Sequence, residues 1–465
     1  MFISLKMSKK WDLTNPLHLE KAMEYLFSLP EEDELSDVEI DDGAREELDE
    51  LNTTTTSRFL ESVNEEMVET EAEMDLEMDI PAPIEPEMNE DVQDWNYDCS
   101  FFQCDAETNF RQNASFDDNF SNYKAIDFFT QLFDQCMIEN VVSETNRYAR
   151  QKQSSMWVDT SQEEIKAFVG SLIIMGIHRL PHLEDYWSSD PFLSVPAVAT
   201  VMTKNRFKKL IENIHFNDND KNVDRSDPNR DKLHKMRPLI DKLNENCNKI
   251  ITPSSFLSID ESMIPFKGRS SLKQYMPMKP TKRGYKVWCM ADSTLGYIVK
   301  FDIYTGKSVA PLCKETTLGE RTVLNLTKDI SSRGTHVVVF DNFFTSSKLL
   351  LKLMSKGIFS CGTTRITRKD VPPIFKENKK ILRGEYQYQT RGQLAAVRWM
   401  DNKPVHFLST IYNPRDTTTV LRKNKNGQRE TVSCPLVVSK YNKIMGGVDL
   451  FDQYRERSIV LVGDL

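Results

Sequence analysis

The chain of 465 residues contains no run of about 18 apolar residues, so a helical membrane span is not expected. Its first 17 residues lack a long apolar core, so a secretory signal is not expected either. Cys-x-x-Cys pairs are missing: the eight cysteines are scattered, and the closest two, Cys99 and Cys104, have no second pair to answer them. That speaks against a zinc module and fits a reducing compartment. Between residues 31 and 94 basic and aromatic side chains nearly vanish. Arg45 and Arg58 face 26 acidic residues there, and Phe59 is the lone aromatic. The remaining sequence carries 58 basic and 44 acidic residues, so the overall charge of −10 belongs to the acidic stretch and the rest is basic. Residues 1–94, with Thr53 to Thr56 and Pro81, Pro83 and Pro86, are therefore expected to be a disordered acidic tail. Within it Leu19, Met23, Leu26 and Phe27 have helical spacing, readable as a short frayed helix or as a partner-docking one.

From residue 95 to 254 the apolar pattern is helical. Phe128, Phe129, Leu132, Phe133, Cys136 and Met137 share one helix face, and Ser161 with Glu164 forms a capping box before Ile165, Phe168, Val169, Leu172 and Ile173. Phe207, Leu210, Ile211 and Ile214 repeat the spacing, and Leu239, Ile240, Leu243 and Cys247 follow Pro238. Lys204, Arg206, Lys208 and Lys209 form one basic cluster, and Lys232, His234, Lys235 and Arg237 another. Each reads either as a solvated helix face or as a DNA contact.

From residue 255 the texture changes to strands. Phe256 to Phe266 is an apolar strand with Asp260 at its middle, and a carboxylate there is costly to bury unless paired or holding a metal. Asp341 poses the same problem after Val337-Val338-Val339-Phe340. Residues 284–291 and 296–304 read as strands, 323–330 as a helix, 346–356 as a helix and 359–364 as a strand. Three strands with short turns, then helix, strand, helix, strand, is the order of a ribonuclease-H-like sheet. Residues 385–411, with turns at Arg391-Gly392 and Asp401-Asn402, read as a β-rich insertion, and residues 448–457 as a further helix. The expected fold class is α+β or α/β. An acidic tail (1–94) precedes a helical DNA-binding and dimerisation domain (95–254). A first core part (255–370), an insertion (371–435) and the end of the core (436–465) complete it.

Asp449 and Asp452 lie three apart and so share one face of that last helix. Glu261, next to Asp260 on a strand, points to the opposite side and is read as structural. Three or four aspartates gathered at a sheet edge suit two divalent cations about 3.5–4 Å apart, and hard oxygen ligands favour Mg²⁺ or Mn²⁺. Such a pair stabilises both the attacking and the leaving oxygen of a phosphodiester displacement. Lys279, Lys282, Arg283 and Lys286 follow the first aspartate, and Arg365, Arg368 and Lys369 follow the fifth strand. They read as turn-flanking surface charges or as phosphate contacts. Trp288 and Tyr285 read as sheet core or as a stacking platform for a base.

Four blocks together resemble the piggyBac family of DNA transposases and the host proteins derived from them. They are Ser258-Ile259-Asp260-Glu261 with Phe266-Lys267-Gly268-Arg269; Lys279-Pro280 with Arg283-Gly284-Tyr285-Lys286 and Trp288; Asp341-Asn342-Phe343-Phe344-Thr345-Ser346; and Tyr441-Asn442 with Met445-Gly446-Gly447-Val448-Asp449 and Asp452-Gln453. They occur in family order from about residue 128 to 457. The resemblance implies that Asp260, Asp341 and Asp449 are the metal-binding catalytic triad, with Asp452 an accessory carboxylate. It further implies hydrolytic DNA cleavage, joining of the freed 3′-hydroxyl at TTAA sites, a homodimer, and a nuclear location. Past Ser458 the resemblance stops, whereas the family continues with a basic aromatic stretch, long helices and often a cysteine-rich zinc-binding tail. That ending leaves open a domesticated, non-catalytic nuclear protein that binds DNA or partners, or a regulator that forms mixed dimers with a full-length relative. In each case the acidic tail is a candidate site for protein partners.

Overall fold

The computed structural model describes residues 94–457 apart from 103–109, 117–119, 121–122, 225–226, 228–229, 278, 307–315, 331–335, 378 and 424–427. The expected acidic tail up to residue 93, the helical pattern at 19–27 and the apolar ending at 459–465 lie outside the described residues. What is described falls within one compact unit. No helix among the described residues is long and apolar enough to cross a membrane.

Six helices lead the order: α1 (Ala125–Leu132), α2 (Gln135–Gln151), α3 (Gln162–Ile177), the single turn α4 (Pro196–Ala199), α5 (Lys204–Asn213) and α6 (Arg237–Ile250). The apolar face read as one helix over 128–137 is split between α1 and α2, because Asp134 intervenes as a cap. Its carboxylate accepts from Met137 N at 2.9 Å and from Asn246 Nδ2 at 3.0 Å. Ile138, Val141, Ile165, Phe168, Phe207 and Leu210 interlock as the core of this layer. Ser161 does cap α3, accepting from Glu164 N, but Glu164 does not close the expected box. Its carboxylate is drawn instead into a two-pronged pair with Arg206 (2.5 and 2.6 Å), supported by Thr160 Oγ1 at 2.7 Å.

A two-residue ladder of β1 (Ser115–Phe116) with β2 (Ile251–Thr252) ties this layer to the entry of the sheet. The sheet is mixed and has nine strands among the described residues, in the order β4-β5-β3-β7-β8-β11-β10-β9, with β6 also on β5. They are β3 (Phe256–Pro265), β4 (Lys273–Tyr275), β5 (Arg283–Asp292), β6 (Ile298–Ile303), β7 (His336–Phe340), β8 (Ile358–Thr363), β9 (Tyr386–Arg391), β10 (Leu394–Met400) and β11 (Pro404–Ser409). β3, β7 and β8 run parallel, which is why Val337, Val338, Val339 and Phe340 are all fully buried: both faces of that strand are covered. Helices α7 (Leu318–Leu326) and α8 (Ser347–Ser355) cover one face through Val323, Leu326, Leu349, Leu350 and Leu353. Helix α9 (Leu436–Ile444) and the hairpin β12 (Thr417–Lys423)–β13 (Arg429–Pro435) cover the other through Val437, Val438, Ile444 and Cys434. A final helix, α10 (Gly447–Arg457), lies on β3 and β5.

Two local differences from the sequence reading have physical causes. The helix expected at 323–330 begins at Leu318, because Thr317 and Glu320 form a reciprocal capping box there. The segment read as interrupting the fold supplies β9, β10 and β11, which prolong the same sheet where β11 pairs with β8.

Candidate active site

Parallel pairing of β3 with β7 puts Ile259 opposite Phe340. The next residue on each strand is Asp260 and Asp341, so two carboxylates emerge side by side where β7 ends. Alternation settles their direction: Asp260 follows Phe256 and Ser258 by twos, and Asp341 follows Val337 and Val339, so both project to the face covered by α9 and α10. Asp341 opens a tight turn in which its Oδ1 accepts from Phe343 N (2.9 Å), and its backbone carbonyl accepts from Thr345 Oγ1 (2.7 Å).

These carboxylates are short of compensation. Burial, then the neighbouring charge of Glu261, pushes the pKa of Asp260 up to about 7, with Asp341 adding to the repulsion. Burial also raises Asp341, although the Phe343 amide, Lys286 and Arg365 work against it. Glu261, set aside as structural from its strand parity, does point to the opposite face, yet its field reaches both aspartates and its Oε1 lies 3.6 Å from Lys279 Nζ. Tyr441 on α9 brings a phenol beside the pair; burial above all raises its pKa, so it stays neutral.

Helix α10 brings the second pair. It lies this close to the sheet because residue 447 is glycine: a Cβ there would sit 2.5 Å from Ser258 Oγ and 3.1 Å from Ser293 Cα. Val448 enters the apolar patch of Val287, Cys289 and Ala291. Asp449 is exposed, and Asp452 Oδ1 accepts from Ser262 Oγ at 2.6 Å and pairs with Arg455 Nη2 at 3.1 Å. Lys279 links the two sets. Burial is the largest influence on its ammonium and lowers its pKa, but Asp260, Glu261, Asp449 and Asp452 together outweigh that and leave it raised. An open cavity of about 220 Å³ lies here, lined by Met263, Lys279, Thr281, Asp449, Asp452 and Arg455.

The basic residues singled out in the sequence divide into two kinds. Lys279 donates to Glu261 O (3.0 Å), Arg368 donates to the carbonyls of Asn342 and Phe343, and Lys286 lies 4.0 Å from the ring centroid of the buried Trp288. Those three side chains brace the site. Lys282, Arg283, Arg365 and Lys369 are exposed, and of these Arg365 lies at the site, its charge lowering the Asp341 pKa and its Nε on Asn342 Oδ1. In the helical layer the basic clusters are largely partnered: Arg206 with Glu164, Lys208 with Glu184, Lys209 with Glu212 and Arg237 with Asp231. Trp288 is stacked on Phe343 as sheet core.

As donors, Asp260 and Asp341 suit a hard divalent cation: both are carboxylates partly withdrawn from water and repelled by neighbouring acidic charge, which added positive charge would relieve. A closed ligand set is not formed, since no three acidic, histidine or cysteine side chains among the described residues are arranged to hold one ion. Strand parity and the burial cost of Asp260 were legible in the sequence. Ser262, Arg455 and the reach of Glu261 were not, because they depend on where α10 docks.

Comparison with known proteins bears on this geometry. The family model described as Transposase IS4 matches residues 124–460. The chain is 34% identical over 343 residues to human PiggyBac transposable element-derived protein 3, covering 70% of this chain and 56% of that protein. It is 31% identical over 335 residues to human PiggyBac transposable element-derived protein 2, covering 70% and 55%. It thus spans a little over half the length of each. Among solved structures it resembles a piggyBac transposase synaptic complex with hairpin DNA, seen by cryo-EM, with a TM-score of 0.59 and 27% identity over 73% of this chain and 69% of that one.

Proposed function

Because the chain belongs to the piggyBac family of DNA transposases and the proteins derived from them, we propose that it is built for metal-assisted cleavage and transfer of DNA strands. Asp260, Asp341 and Asp449 are the reacting-site carboxylates in this reading, and Asp452 supports them. One observation carries it: the strand register sets Asp260, midway along β3, next to Asp341 where β7 ends, both partly withdrawn from water and both with pKa values pushed up by that burial and by the charge of Glu261. A protein keeps such an arrangement against its own stability when the charge has a use. The sheet is read as ribonuclease-H-like, the target as TTAA-flanked DNA, the acting form as a homodimer and the place of action as the nucleus.

Mg²⁺ or Mn²⁺ bound at the pair would stabilise charge on the oxygens of a phosphodiester under attack. The chain's own residues supply the rest. Asp260 and Asp341 each have one carboxylate oxygen held by a backbone amide, Asp260 Oδ1 by Glu261 N and Asp341 Oδ1 by Phe343 N. Lys279 keeps the α10 carboxylates and the β3 carboxylates within one field. Lys282, Arg283, Arg365 and Lys369 are exposed and would position the DNA backbone without reading sequence.

A second reading, DNA binding without cleavage, draws on the engagement of Asp452 by Ser262 and Arg455 and on the exposure of Asp449. Nicking of TTAA-flanked DNA by the purified chain with Mg²⁺ or Mn²⁺ separates the two. Asp260→Asn and Asp341→Asn are each expected to lower the rate by about a thousandfold or more. Salt-sensitive DNA binding with no nicking by the unsubstituted chain would favour the second reading. Nicking that survives both substitutions would sink the first.

A further inference from the structure

The second half of β3 has an open side. Val337 N donates to Ser255 O, so the odd-numbered residues of β3 bond toward β7, and β7 ends opposite Ile259. The carbonyls of Glu261 and Met263 therefore point past the end of their neighbour. Backbone acceptors in so shielded a place need donors, and two cations provide them: Lys279 Nζ reaches Glu261 O at 3.0 Å, and Arg455 Nη2 reaches Met263 O at 3.1 Å. Arg455 comes from α10, three residues beyond Asp452. Its Nη1 lies 3.4 Å from Ser262 Oγ, whose own proton goes to Asp452 Oδ1 at 2.6 Å, and Asp452 returns to Arg455 Nη2 at 3.1 Å. Ser262 is 2% exposed, whereas Asp452 and Arg455 are partly exposed where they line the cavity, so the ring is shielded on its strand side.

We infer that Ser262, Asp452 and Arg455 form a latch that fixes α10 on the open edge of β3, making Ser262 and Arg455 positioning residues for Asp449, while Asp452 serves the latch and does not ligate a metal. The inference rests on the reading of Asp260, Asp341 and Asp449 as reacting-site carboxylates, and it gives the three latch residues a task the aspartates cannot do themselves. Asp449 lies one turn before Asp452 on the same helix, so whatever holds Asp452 also sets the position of Asp449. A charge-assisted hydrogen bond to a buried hydroxyl is strong enough to hold a short helix end.

The test uses the full chain with Ser262→Ala, Arg455→Ala and Asp452→Asn, singly and in pairs. Hydrogen–deuterium exchange is followed at the amides of residues 447–457. Each single variant is expected to exchange there roughly ten- to a hundredfold faster, with β10 and β11 unchanged, and the Ser262→Ala/Asp452→Asn pair no faster than Asp452→Asn alone. Arg455→Lys, which keeps a cation facing Asp452, is expected to stay within a few-fold of the parent. Should any variant lose its near-ultraviolet dichroism, Arg455→Lys and the remaining singles carry the comparison. In nicking assays the Mn²⁺ concentration for half-maximal rate is expected to rise roughly tenfold in all three single variants alike. Unchanged exchange in every variant would overturn the latch. So would a metal requirement altered by Asp452→Asn but untouched by Ser262→Ala and Arg455→Ala, since that pattern belongs to a ligand. If the parent chain does not nick DNA, the functional reading fails while the exchange data still decide the latch.

Discussion

Glu164 and Asp260 are both carboxylates withdrawn from water, and the molecule treats them in opposite ways. In the helical layer Glu164 receives both prongs of Arg206 and the hydroxyl of Thr160, and its pKa is lowered, above all by the Arg206 hydrogen bonds. Midway along β3 Asp260 is half-buried beside Glu261 and Asp341, and its pKa rises to about 7. The first arrangement stabilises the fold and is complete in itself. The second works against the fold, and Lys279 offsets it only in part. A charge matched by its neighbours marks architecture, and one left unmatched at cost marks a site.

The contrast can be broken from either side. The largest effect is expected from Arg206→Leu, which strands Glu164 and also removes the guanidinium lying 4.8 Å from the Trp157 ring centroid. Urea unfolding should show a loss of about 3 kcal/mol. Asp260→Asn should act in the reverse direction at pH 8 in metal-free buffer, raising stability by roughly 2 kcal/mol while nicking disappears. If that substitution destabilises the protein, the carboxylate is already matched and the contrast fails.

The same two groups shape the pH profile. In the native state Asp260 holds its proton up to about pH 7, whereas an unfolded aspartate releases it near pH 4. Between those values the native state binds more protons than the unfolded state, so metal-free stability falls as pH rises, by up to about 1.4 kcal/mol per unit. Glu164 has the opposite sign: its contribution is present above the ordinary glutamate value and is lost as acid titrates the pair. Melts from pH 3 to 9 should therefore peak at about pH 4, and Asp260→Asn should flatten the upper limb alone. The smallest effect is expected from Lys208→Ala. Its partner Glu184 is half exposed, and urea unfolding should show no resolvable loss.

Much of this was readable from residues alone, within limits. The runs Phe256 to Pro265 and His336 to Phe340 announced buried strands, and the cost of an aspartate in such company singled out Asp260 and Asp341. Their adjacency was not readable, because it depends on register between strands about 80 residues apart, which no local pattern encodes. The break before α2 was missed because Asp134 sits inside an otherwise continuous apolar face. Helix α9 was missed because Leu436, Val437 and Val438 form an apolar β-branched run that suits a strand equally well. Parity gave the direction of Glu261 correctly but not its influence, since an electric field crosses a sheet that side chains do not.

The contact between Ser262 and Asp452 joins residues 190 positions apart. A ribosome adding roughly 5–20 residues per second needs about 10–40 seconds to cover that interval. For that time the nascent chain displays Asp260 with no α10 to lie against it, and the open side of β3 has no Arg455 to fill it. Assembly of the carboxylate set is thus timed by synthesis itself. On this schedule Asp260 and Asp341 are made well before the helix that carries Asp449 and Asp452.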